Sequence, residues 1–148
     1  MRPRSRGVAA LEMALLLPVL ALLPAAAWEW GQVLAHHERL SHSVRAAVRH
    51  LAATDAADPV RQNEARQLAV YGRLAGGTVP VVPGLKTSMV GVLHPDADAG
   101  VRTVATGAGT VSLVTVSISG LRHEPLLLPV SMGFTLRTVS LTMVLRFS

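Results

Sequence analysis

From Val8 to Trp28 the chain runs 21 residues with a single charge, Glu12. At 1.5 Å per residue this is about 31 Å of helix, enough to cross a hydrocarbon core of about 30 Å. Arg2, Arg4 and Arg6 precede the run, and by the positive-inside tendency they keep the N-terminus in the cytoplasm. Trp28 and Trp30 stand at the far end, where amphipathic rings favour the membrane interface. Pro18 and Pro24 each remove a backbone donor, a defect that membrane helices tolerate when neighbours re-satisfy the freed carbonyls. Glu12 is the anomaly. An ionised carboxylate at the centre of a spanning helix costs about 2.5–3.5 kcal/mol, so either the run avoids the bilayer or Glu12 has a partner there.

Composition narrows the classes. The 148 residues suffice for one domain. Aromatic residues make up only 3%, so a core must be assembled from Ala, Val and Leu. The net charge of +5 owes three of its units to the arginines before Gly7, and no downstream cluster of basic and aromatic residues offers a nucleic-acid platform. Cysteine is absent, which excludes disulfides, thiolate metal sites and cysteine nucleophiles.

Three readings of the N-terminus compete. A cleavable secretory signal would be cut in "PAAAW", where Ala25 and Ala27 fit a small-x-small site, releasing a secreted or periplasmic binding domain after Ala27. A plain anchor would stay uncut. A prepilin-type leader would be cut on the cytoplasmic side, between Gly7 and Val8. Only the third accounts for Glu12, the fifth residue after Gly7: the new α-amino group of Val8 on one subunit can pair with Glu12 of its neighbour. A paired buried charge can specify register, where an unpaired one is only a cost.

The stretch "RGVAALEMALLLPVL", followed by "WEWGQVL" and "SHSVRAAVRHLA", resembles the TadE-like family of minor pseudopilins from tight-adherence pilus systems. The matching elements are Gly7, Glu12, Pro18, Glu29, Trp30 and Gly31. Trp30 stands where the family more often has Phe, and Pro24 is an additional proline. The resemblance covers roughly the first 55 residues well and the closing β-prone runs loosely. It implies a pilin-like α+β fold, processing by a prepilin peptidase, and a role in assembling a tight-adherence type IV pilus or a related secretion apparatus. Implied partners are other minor pseudopilins, the major pilin, the inner-membrane assembly platform and membrane lipid, with no nucleic acid, small-molecule substrate or cofactor. The implied placement is single-pass in a bacterial inner membrane: leader 1–7, spanning helix 8–30, extracytoplasmic head 31–148.

Beyond the run the helix continues. Val33, Leu40, Val44, Ala47, Val48 and Leu51 recur at threes and fours, with Arg39, Arg45 and Arg49 off that stripe. Gly31, inside the helix, marks a bend or permits close packing. A stop near Ala53 is expected before "TDAADP", then a second helix capped by Asp58 with Pro59 in its first turn. That helix is expected to reach Ala75, bury Val60, Ala65, Leu68, Ala69 and Leu74, and end at Gly76 and Gly77. Short β-prone runs follow: "KTSMVGVLH", "VRTVAT", "TVSLVTVSISG" with Val114, Val116 and Ile118 on one face, and "FTLRTVSLTMVLRFS" alternating from Val139 to Phe147. "TVPVVPG" reads as edge strand or linker, "PDADAG" as a turn, and "LRHEPLLLPVSMG" as a loop. Together these give a three- to five-stranded antiparallel sheet on the amphipathic half of the long helix.

No catalytic motif emerges, and the chain is read as a non-enzyme. In "HHERLSH", His36, His37, Glu38 and His42 lie within two turns, but a third metal ligand is not evident and solvated helix surface is the expectation. Asp55, Asp58, Asp96 and Asp98 match no calcium loop and suit turns and caps. His123 and Glu124, in the Pro-bounded loop, are expected to be exposed. Glu29, between two tryptophans, is assigned with Pro18, Trp30 and Gly31 to helix packing at the membrane exit.

Overall fold

A computed structural model describes residues 4–94, 103–107, 109–125 and 133–145. The N-terminal run and the amphipathic stripe form one continuous helix, α1, Arg4–Ala52, with Pro18 and Pro24 inside it. Its two halves differ. Every residue from Gly7 to Pro24 is exposed, whereas Leu40, Val44, Ala47, Val48 and Leu51 are almost wholly buried, as the periodicity requires. Arg39, Arg45 and Arg49 face outward.

α2, Pro59–Tyr71, begins where expected: Asp58 Oδ1 accepts the Val60 N–H at 2.9 Å. Asp55 likewise accepts from the Ala57 N–H at 3.0 Å, so both acids serve the turn between the helices. α2 ends earlier than the sequence suggests. Gly72 takes a left-handed conformation, φ 70°, and donates its N–H to Leu68 O, closing the helix before Leu74. The buried side is therefore Ala65, Ala69 and Val70, while Val60 and Leu74 are exposed. Against α1, the contact is reinforced by His50 Nε2 and Glu64 Oε2, 3.0 Å apart. Arg61 also donates to Glu64, at 2.9 Å.

"TVPVVPG" forms no strand, and Val81 N–H returns to Val70 O at 2.8 Å. A 3-10 turn, Thr87–Met89, leads into β1, Val90–Leu93. β2, Thr103–Thr106, and β3, Gly109–Ile118, form a hairpin. β3 is the spine of a four-stranded antiparallel sheet: it also pairs with β1 and with β6, Val139–Val144. Val116 sits opposite both Val92 and Leu141, which fixes the register at the centre. Val114, Val116 and Ile118 are buried, and Val139, Leu141, Met143 and Leu145 pack at the edge of the same core. Expectations on Asp96, Asp98 and Phe147 fall outside the described residues.

The segment read as a loop after Gly120 contains a short ladder. β4, Arg122–His123, pairs with β5, Phe134–Thr135, and Leu136 N–H donates to Leu121 O at 2.8 Å. Two-residue strands carry no periodicity, so Pro125 and Pro129, between the two strands, dominated the sequence pattern.

Candidate functional site

The residues proposed for processing and assembly share one environment. Gly7, Val8, Glu12 and Pro18 lie on the exposed half of α1 and are covered by nothing else among the described residues. Ten large apolar side chains between Val8 and Leu23 are about half exposed or more. Each contributes about 1.5–3 kcal/mol when fully removed from water, so an apolar surrounding would favour this half of the helix. The helix is long and apolar enough to cross a membrane, compatible with a single-pass anchor.

Glu29 is the first fully buried residue among the described positions of α1. Trp28 and Trp30 on either side are 58% and 68% exposed, whereas Glu29 is 6% exposed. The helix turns this one side chain toward the head and its neighbours away from it. Its carboxylate meets His123: Glu29 Oε2 and His123 Nε2 are 3.5 Å apart, an ion pair when the imidazole is protonated. The β4–β5 ladder delivers His123 to that position. His123, expected at the surface, is 7% exposed; this corrects the reading of the segment as open loop. The companion residue Glu124 is exposed, as expected.

Two turns along α1, His36 meets the same imidazole edge-on, with ring centroids 5.7 Å apart. Burial first, then the neighbouring His123 and the Arg39 guanidinium, hold His36 below the ordinary imidazole pKa. The rest of the histidine cluster disperses: His37, Glu38 and His42 are exposed. Among the described residues no group of three or more His, Cys, Asp or Glu side chains is arranged to hold a metal. Gly31 lies within the continuous helix, with no neighbouring atom within 4 Å of where a side chain would start.

A cavity of about 670 Å³ opens beside the Glu29–His123 contact. Glu29, Gln32 and His36 form its α1 wall, and Lys86, Arg122 and Glu124 supply the charges opposite. Sequence periodicity could not have found this juxtaposition, which joins positions far apart in the chain. The one signal was an acid placed between interfacial tryptophans.

Comparisons with curated proteins and with solved structures return no match. The family model described as TadE-like protein matches residues 7–49, from the start of the exposed helix through Glu29 to the packed stripe. Over this stretch the chain is similar to TadE-like proteins, a similarity that implies association with tight-adherence pili.

Proposed function

We propose that the chain is a membrane-anchored minor pseudopilin, cut between Gly7 and Val8 by a prepilin peptidase, that acts in assembling a tight-adherence type IV pilus or a related secretion apparatus. The observation that carries this reading is the fully exposed half of α1 bearing one acid, Glu12, within the TadE-like segment. Moving such a helix from lipid into a bundle of similar helices exchanges one apolar surrounding for another, so extraction from the membrane incurs little hydrophobic cost. The α-amino group of Val8 on one subunit pairs with Glu12 of the next and sets the axial register. The head faces away from the cytoplasm and contacts other minor pseudopilins, the major pilin or the assembly platform.

N-terminal sequencing of the mature protein tests the proposal. A start at Val8 supports it. A start at Trp28 instead supports a secreted domain released after Ala27, and an uncut leader supports a plain anchor. Gly7→Leu should block maturation, and a variant that matures normally refutes prepilin-type processing.

A further inference from the structure

We propose that the cavity between the membrane-exit turn of α1 and the head holds the phosphodiester headgroup of a bilayer phospholipid, bound through Lys86 and Arg122. The inference rests on the anchor reading, which sets the level of the cavity. Exposed Trp28 and Trp30 place the interface at the turn containing Glu29. From Glu29 to His36 the helix climbs about 10 Å, starting at the hydrocarbon edge, and the headgroup layer occupies roughly the first 5–7 Å of that climb. The α1 wall of the cavity spans this interval.

Charge and shape fit the same occupant. Lys86 and Arg122 are both exposed at the cavity, where a phosphate can accept from each. Gly133 makes room for the arginine: the Arg122 Nε lies 2.6 Å from where a Gly133 Cβ would stand, so any side chain there displaces it. Beneath the charges, Val82, Leu121 and Leu136 give an apolar floor suited to a glycerol backbone and the first acyl carbons. The volume of about 670 Å³ admits a headgroup. Among the described residues lining the cavity, Glu29 and Glu124 are acids; Glu29 lies against His123, whereas Glu124 is exposed and opposes an anion, so its removal should strengthen binding.

The test uses the full chain in maltoside micelles, titrated with palmitoyl-oleoyl-phosphatidylglycerol, with bound lipid counted by native mass spectrometry. Lys86→Ala combined with Arg122→Ala should weaken retention about tenfold or more, the scale of lost charge-assisted hydrogen bonds. Glu124→Gln should raise it, and Arg45→Ala with Arg49→Ala, on the outward face of α1, should leave it unchanged. All these positions are exposed, and unchanged circular dichroism establishes that the variants fold. The site is overturned if the Lys86/Arg122 variant keeps wild-type retention, if the Arg45/Arg49 control loses as much, or if soluble glycerol 3-phosphate competes at equal concentration. Alkaline carbonate extraction of cell membranes separates the two readings. A chain released by alkali sinks the anchor and the lipid site together. A chain that stays in the pellet, while its Lys86/Arg122 variant binds lipid normally, sinks only the site.

Discussion

Replacing Glu29 by leucine removes the acid from a contact in which both side chains are nearly covered, 8% exposed for Glu29 and 7% for His123. Breaking a buried pair by deleting one member costs about 3–5 kcal/mol, because the other is left desolvated. The separation of 3.5 Å exceeds the 2.7–2.9 Å of tight charge-assisted bonds, so the lower end applies, about 3 kcal/mol. His123→Leu should cost about the same, by the same argument. The double variant replaces the pair by two apolar side chains and should cost no more than either single variant, about 3 rather than the additive ~6 kcal/mol, giving a coupling energy of roughly 3 kcal/mol. The assay is urea unfolding of the full chain in micelles, followed by circular dichroism of the sheet and, separately, by tryptophan fluorescence. Trp28 and Trp30 flank Glu29, so fluorescence reports the junction while dichroism reports the head. Strictly additive losses, with coupling below about 0.5 kcal/mol, would refute the claim that the two side chains hold each other.

Two further outcomes follow from the same geometry and from the proposed register. His36 is held below the ordinary imidazole value of 6.5, so the unfolded chain binds the proton more readily. Its contribution to stability is intact above that value and is lost as pH falls below it, until the folded group also protonates. Unfolding midpoints measured at pH 7.5 and 5.5 should thus fall less in His36→Asn than in the wild type, and equal slopes would refute the assignment. Glu64 is held low, chiefly by the Arg61 hydrogen bond and then by His50, and its contribution persists until pH falls below the ordinary 4.5. Glu12→Ala should be cleaved normally but fail to assemble, as scored by electron microscopy of pili, and normal piliation would remove the register argument.

Local chemistry wrote much of this architecture into the chain. The three-four spacing of Leu40, Val44, Ala47, Val48 and Leu51 determined which face of α1 is buried, because a 3.6-residue turn admits only one such face. Asp58 and Pro59 determined where α2 starts, through a side-chain oxygen and a fixed φ. The alternation of Val114, Val116 and Ile118 determined the inward face of β3. Local signals failed where two competed, as at Gly72, whose left-handed cap closed α2 although Leu74 continued the apolar stripe. They were silent where the decisive contact is distant. Pairing of β4 with β5, far along the chain from α1, brought His123 against Glu29. Periodicity describes one element at a time, whereas a buried carboxylate is satisfied by whatever group the assembled sheet carries to it. The apolar run and the helix faces were settled by sequence; the contact of α1 with the β4–β5 ladder was settled by the tertiary fold.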